Sequence, residues 1–295
     1  MKRIAYLLTA FTVAACTSNK NAYDASGTFE AVETIVSAEA SGTLKSFTVE
    51  EGQTLQAGVH VGFIDSVQLY LKKKQLMAQI AAVLSKKPNV AKQLAALQEQ
   101  LKQAQREQQR VANLVKADAA TQKQLDDATT QLDVVKKQIE AQQSTLGITT
   151  SSLTEETSPL SVQIEQLNDQ LAKCKVVNPV NGTVLTKYAE AKEMTAVGKP
   201  LYKIADLSTI ILRAYITGDQ FAHAKLNSKV TVSVDDGKGN YKAYPGVVEW
   251  ISDKAEFTPK TIQTKDERAN LVYALKVRVT NDGLLKIGMY GELKF

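Results

Sequence analysis

From Val90 to Cys174 the apolar positions keep a period longer than any strand and too regular for a globular helix. Val90, Leu94, Leu97, Leu101, Ala104, Gln108, Val111 and Val115 advance by alternating steps of four and three. Leu125, Ala128, Leu132, Val135, Ile139, Gln142 and Leu146 repeat the pattern, and Leu160, Ile164, Leu167, Leu171 and Cys174 resume it. An a/d seam of this length predicts a coiled coil. Between the first two runs lies "KADAAT", residues 116 to 121, short enough for an antiparallel helical hairpin. Two further interruptions are expected. "SKKPNV" carries Pro88, which breaks a helix interior, and residues 144 to 159 are rich in β-branched and hydroxyl side chains. The pattern therefore predicts a hairpin over residues 66–174 in two stacked segments, with breaks near 85–89 and 144–159. An arm from Gln68 to Val115 would reach on the order of 70 Å.

Outside the rod the period changes. "SGTLKSFTVEEGQTLQAGVHVGFID", residues 41 to 65, aligns without gaps on "NGTVLTKYAEAKEMTAVGKPLYKIA", residues 181 to 205. Gly42 meets Gly182, Thr43 meets Thr183, Gly58 meets Gly198 and Ile64 meets Ile204. Each copy reads as short alternating strands punctuated by glycine turns, so one motif is repeated on either side of the rod. After the second copy, "KVTVSV" and "YKAYPGVVEWI" flank "DDGKGN" as a β-hairpin would.

Composition sharpens this division. Aromatic residues make up 6% of the chain, yet none falls between Lys72 and Leu171. At the N-terminus, Lys2 and Arg3 precede an apolar run from Ile4 to Ala15, of signal-peptide length and too short to span a bilayer. Val13-Ala14-Ala15-Cys16 has the form of a bacterial lipobox, in which the Cys16 thiol is acylated and becomes residue one. A plain secretory signal with a chance cysteine is the other reading. Several acyl chains hold a protein stably at about 0.8 kcal/mol per buried CH₂. If Cys16 is acylated, Cys174 has no intramolecular partner and is expected as a small buried apolar side chain. The formal charge is +5, or +3 once Lys2 and Arg3 are removed, and no basic–aromatic interleaving accompanies it. Nucleic acid is therefore not an expected partner.

The repeated glycine-turn-strand motif resembles half of a biotinyl-lipoyl domain. Two halves split by a helical hairpin resemble the periplasmic adaptor, or membrane fusion, proteins of the hemolysin D type. Pro179 and Gly182 in "NPVNGTV" match the start of the second half-motif. "ADLSTIILRAYITGDQFAHAKLNSKVTVSVDD" looks like that family's entry into a β-barrel, and residues 251 to 279 are similar to the barrel of the subgroup paired with ABC-type exporters. The resemblance implies an elongated α+β fold: a split lipoyl-like domain (29–65 and 175–205), the hairpin, and a barrel (206–295). Residues 1–15 would be the signal peptide and 16–28 a linker. It also implies an adaptor linking an inner-membrane transporter to a TolC-type outer-membrane channel, in the periplasm, lipid-anchored to the inner membrane and assembled as a homo-hexamer. At "RVANLVKADAATQKQLDDA", Arg110, Leu114 and Thr121 match the family's channel-contacting tip, with Thr in place of the usual Ser, and Leu125-Asp126 match its end. The residues themselves carry a plainer account: a solvated Arg110, a seam Leu114, and Thr121 capping the returning helix with Gln124 in a capping box. The chain stops at "GMYGELKF", where a barrel would close, which with residues 251 to 279 favours an ABC transporter over a resistance-nodulation-division pump. A lipid-anchored scaffold without a transport role is the remaining alternative.

Candidate chemistry is sparse. His60 and His223 fall in different expected domains, and no Cys, His or carboxylate cluster has metal-ligand spacing. A lipoyl carrier needs a modifiable lysine at a tight hairpin, but Lys72, Lys73 and Lys74 sit where a helix begins. No catalytic constellation, cofactor or metal is expected.

Overall fold

The computed structural model describes residues 23–237, 240–257 and 271–295. The expected signal peptide, Cys16 and much of the 251–279 stretch lie outside these residues. Three units follow one another in space: a six-stranded closed barrel, a β domain of two four-stranded sheets, and a helical hairpin.

The β domain is the repeat made visible. Strands β2 (Glu33–Ser37), β3 (Gly42–Phe47), β4 (Thr54–Leu55) and β5 (His60–Ile64) precede the rod. Strands β6 (Lys175–Val177), β7 (Gly182–Lys187), β8 (Met194–Thr195) and β9 (Pro200–Ala205) follow it. The sheets run β2-β9-β7-β4 and β6-β5-β3-β8, so each draws strands from both halves in the same order. Side chains and backbone repeat the exchange. Ala57 N donates to Asn181 Oδ1 at 2.8 Å, and Val197 N donates to Ser41 Oγ at 3.3 Å. Gly52 N donates to Val184 O, and Lys192 N to Leu44 O. The interleaved sheets share one apolar core that includes Leu44, Ile64, Val184, Leu201 and Ile204. β3–β5 and β7–β9 pair within a half, whereas β2–β9, β3–β8, β4–β7 and β5–β6 pair across, so neither half is complete without the other.

The rod comprises α1 (Val67–Leu84), α2 (Val90–Lys116) and α3 (Gln122–Lys173). Both α1 and α2 pack against α3. The expected break at Pro88 is present, with Asn89 capping α2 through its side chain and Lys92 N. The expected break at 144–159 is absent: α3 runs unbroken for 52 residues with Pro159 inside it. The seam explains this. Thr150, Leu153, Thr157 and Leu160 continue the four–three steps from Leu146 and are less exposed than the residues around them. Threonine fits an apolar seam here because its hydroxyl bonds back into the helix. Thr150 Oγ1 donates to Leu146 O at 2.8 Å, and Thr157 Oγ1 to Thr154 O at 2.7 Å. Pro159 still withholds one N–H from the ladder, at a cost of about 3 kcal/mol that packing along the seam must offset. At the other end of the seam, Val90 is exposed rather than packed.

The barrel is ordered β1-β10-β13-β12-β11-β14, with β10 (Thr209–Thr217), β11 (Lys229–Asp235), β12 (Tyr241–Phe257), β13 (Leu271–Thr280) and β14 (Tyr290–Lys294). Its sixth strand falls in the expected linker. β1 (Ala25–Glu30) pairs with β10 on one side and β14 on the other, so the barrel begins before the split domain and is completed after it. Without β1 two strand edges would stand open. Ala25 and Phe29 point into the core with Ile210, Leu212, Val277 and Leu293. Gly27 between them faces the β10 backbone, where a Cβ would lie 1.9 Å from Arg213 O. Pairing of Asp235 with Tyr241 makes β11 and β12 the expected hairpin. Two ends of the barrel are thus distinguished. One adjoins the split domain through β1–β2 and β9–β10. The other carries the start of β1, the β10–β11 connection, Phe257, Leu271 and Phe295.

Candidate docking tip

The reversal between α2 and α3 is fixed from both sides. At the end of α2, Ala119 N donates to Leu114 O at 2.8 Å and Asp118 N to Val115 O at 3.1 Å. This is a Schellman closure, with Asp118 in the left-handed conformation (φ 55°) where glycine is commonest. At the start of α3, Gln124 N donates to Thr121 Oγ1 at 3.3 Å and Thr121 N donates to Gln124 Oε1 at 2.8 Å. Both bonds of the expected capping box are present. Five residues, 117 to 121, therefore join two long helices with little freedom.

Arg110 and Leu114 lie one helical turn apart near the end of α2, and Thr121 opens α3, so the three share one end of the rod. Leu114 is half-buried beside the buried Val111, and Thr121 is exposed. Arg110 is exposed but not solitary. Its Nε donates to Glu107 Oε2 at 2.9 Å and its Nη2 to Glu107 Oε1 at 2.5 Å. Hydrogen bonding to Arg110 holds the Glu107 carboxyl below the usual carboxylate range, and Glu107 raises Arg110 in return. The guanidinium is thereby held flat along the helix with part of its five-donor fork still free. Glu107 is absent from the sequence reading, although an acidic residue three before an arginine on a helix is the signal that finds it. Leu125 is half-buried and Asp126 accepts from Gln122 Nε2 at 3.0 Å.

The remaining candidate groups are dispersed. Lys72, Lys73 and Lys74 lie on α1, a helix rather than a carrier turn. His60 opens β5, and His223 follows the short 3₁₀ turn Gln220–Ala222 between β10 and β11. Among the described residues no three His, Cys, Asp or Glu side chains gather as a metal site would require. Cys174 is buried at the foot of the rod, and burial pushes its thiol up from the ordinary range. Among the described residues no helix is long and apolar enough to cross a membrane.

No protein-family model matches the chain. It is 26% identical over 270 residues, covering 84% of its length and 79% of the other's, to a protein of Acidithiobacillus ferridurans named "UPF0194 membrane protein in asrC 5'region". It is 34% identical over 121 residues to a UPF0194 membrane protein of Enterobacter sp. (strain 638), a match covering 41% of this chain and 36% of that protein. Among solved structures, MacA from Actinobacillus actinomycetemcomitans superposes with a TM-score of 0.57 at 20% identity, over 92% of this chain and 76% of that one. The membrane fusion protein Spr0693 from Streptococcus pneumoniae R6 gives 0.51 at 16% identity, over 91% and 96%. The fold is the elongated one of MacA-type membrane fusion proteins: long helical hairpin, β domain and six-stranded barrel.

Proposed function

We propose that this chain is a periplasmic adaptor of an efflux or secretion assembly, a connector without catalytic chemistry of its own. Its hairpin tip docks on a TolC-type outer-membrane channel, and its barrel end faces an inner-membrane transporter. The observation that carries this reading is the rigid tip: a hairpin inserted between two interlocked half-domains, closed by a Schellman end and a capping box, and displaying Arg110, Leu114 and Thr121. A long rod mounted on interleaved sheets and sharply capped at its far end transmits position over distance. Likeness to solved membrane fusion proteins over most of the chain supports the same reading.

Four finer elements belong to the proposal. Cys16 is acylated and anchors the chain to the inner membrane. Pairing with an ABC-type transporter, in preference to a resistance-nodulation-division pump, rests on the resemblance at residues 251 to 279. A ring of six copies closes through a heterologous interface, one face of each subunit meeting a different face of the next. Docking joins a small apolar contact at Leu114 to hydrogen bonds from the Arg110 fork.

The test substitutes the tip in the full chain and reads export, site-specific cross-linking to the channel and thermal melting together. Arg110→Asp with Leu114→Asp should abolish cross-linking and export and leave folding intact, because unlike partners turned into like charges at an interface cost several kcal/mol. Full export by the double variant would overturn the docking reading in favour of a scaffold.

A further inference from the structure

The barrel end remote from the split domain has its own surface chemistry. Between β10 and β11 the chain is fastened at three points. Thr217 N donates to Gln220 Oε1 at 3.0 Å, Ala224 is buried in the barrel core, and Asn227 N donates to Val248 O at 2.8 Å. A connection held this firmly nevertheless exposes Phe221 by 42% and Leu226 by 58%. One face of Phe221 rests on Tyr273, with ring centroids 5.0 Å apart. Leu271, two residues before Tyr273 on the same face of β13, is exposed as well. Lys225 lies beside Leu226, and Lys229 opens β11; among the described residues neither has an ion-pair partner. Two acidic groups at this end, Asp219 and Asp24, are engaged locally. Asp219 accepts from Thr217 Oγ1, and Asp24 accepts from Phe295 N at 2.9 Å.

The same end holds the start of β1. Asp24 N donates to Leu293 O, which sets the N-terminal chain at this rim and away from the rod. Cys16 precedes Tyr23 by seven residues, a reach of at most about 25 Å when fully extended. If Cys16 carries acyl chains in a bilayer, this end of the barrel is confined to within that distance of the membrane surface.

We propose that this end of the barrel rests in the headgroup layer of the inner membrane. Phe221 and Leu226 enter the interface, and Lys225 and Lys229 meet the phosphates of anionic lipids. An aromatic ring, an aliphatic side chain and flanking lysines on a rigid loop are the composition by which proteins lie on bilayers without spanning them. The anchor supplies proximity, and the loop supplies orientation. Acyl chains alone leave the barrel free to swing on its tether, whereas a second contact sets the rod along the membrane normal. The orientation rests on the proposed anchor, but the loop's affinity for lipid does not.

The probe is vesicles of phosphatidylethanolamine with phosphatidylglycerol, and the protein is the full mature chain carrying Cys16→Ser. Co-sedimentation should be measurable at low ionic strength. It should fall at least tenfold in Phe221→Ser/Leu226→Ser, and should fall with Lys225→Glu/Lys229→Glu on anionic but not on neutral vesicles. Leu226→Ser alone serves as the variant that leaves the Phe221–Tyr273 contact in place, and a melt accompanies each. The acylated chain, with Phe221→Trp in a Trp250→Phe background, should be quenched by brominated lipid. No vesicle binding by the Cys16→Ser chain, together with no quenching in the acylated chain, overturns the proposal and leaves the anchor standing. Binding by the Cys16→Ser chain, with mass spectrometry finding Cys16 unmodified in cells, removes the anchor and keeps the loop. Vesicle binding unchanged by Phe221→Ser/Leu226→Ser, with loss of cross-linking to the transporter, overturns the lipid contact in favour of a protein one.

Discussion

The hydroxyl of Tyr202 donates to Asn178 Oδ1 at 2.9 Å, and both residues are fully buried where the two halves of the split domain interlock. Asn178 completes the junction with its amide, Nδ2 donating to Gln56 O at 2.8 Å and to Val180 O at 2.6 Å. One side chain thus ties the strand entering the second half to a loop of the first. The repeat does not match it: Ala38 stands opposite Asn178 and Gly62 opposite Tyr202 at the offset that aligns the copies. The Tyr202 ring and its bond are a departure from the two-fold pattern.

Tyr202→Phe should therefore destabilise by roughly 1–3 kcal/mol, because it leaves a buried acceptor without its donor. Urea unfolding measures this. Burial pushes the Tyr202 phenol up from 10.0 to about 12. An acid raised in the folded state gives stability that is complete below its unfolded value and lost as pH rises through its folded one. Wild-type stability should decline between pH 10 and 12, and Tyr202→Phe should lack that component of the decline. An identical alkaline profile in both would refute the assignment.

Lys192 holds φ of 77°, and its counterpart in the first copy is Gly52 at 83°. The second copy thus carries a long side chain in a conformation that only glycine adopts without cost. Lys192→Gly should stabilise by about 0.5–1 kcal/mol, and Gly52→Lys should destabilise by a similar amount. Thermal melts of the two variants should move in opposite directions.

The unbroken α3 makes contrasting demands of neighbouring residues. Leu146 is 5% exposed and Ile148 is 68% exposed. Leu146→Ala should cost about 2–4 kcal/mol, and Ile148→Ala should stay within about 0.5 kcal/mol. Pro159→Ala restores an N–H to the ladder and should stabilise, by at most about 3 kcal/mol. Equal effects at Leu146 and Ile148 would mean that the seam does not run through this region.

The Cys174 thiol is buried and pushed up by that burial. Iodoacetamide at pH 8 should leave Cys174 unmodified in the native chain and alkylate it in urea, as read by mass spectrometry. Rapid native labelling would show that the foot of the rod opens.

Much of this fold is legible in the sequence. The seam from Leu94 to Val115, the reversal at 116 to 121 and the repeat at Gly42 and Gly182 are each set by local period and turn chemistry. Three features are not legible, for different reasons. The threonines at 150 and 157 read as helix breakers because their self-satisfying hydroxyl bonds leave no trace in a propensity. The strand "ASGTFE" reads as a linker because its partners, β10 and β14, are distant in sequence, and Gly27 signals close backbone approach only once β10 is beside it. The Asn178–Tyr202 bond joins positions at which the two copies differ, so the repeat does not point to it. At the tip, Thr121 and Gln124 are readable as a cap, whereas the Arg110–Glu107 pair escapes the reading despite its helical spacing.

The two feet of the rod emerge from β5 and β6, which are neighbours in one sheet, and Ile64 N donates to Cys174 O at 2.8 Å where they part. This arrangement sets the mechanics of the rod at its mounting. A force sliding one arm past the other loads the β5–β6 hydrogen bonds all at once, in shear. A force splaying the arms loads them one at a time, beginning at Ile64 and Cys174. The rod should thus be stiff as a strut and yield first as a fork, and single-molecule pulling in the two geometries should find the higher rupture force for sliding.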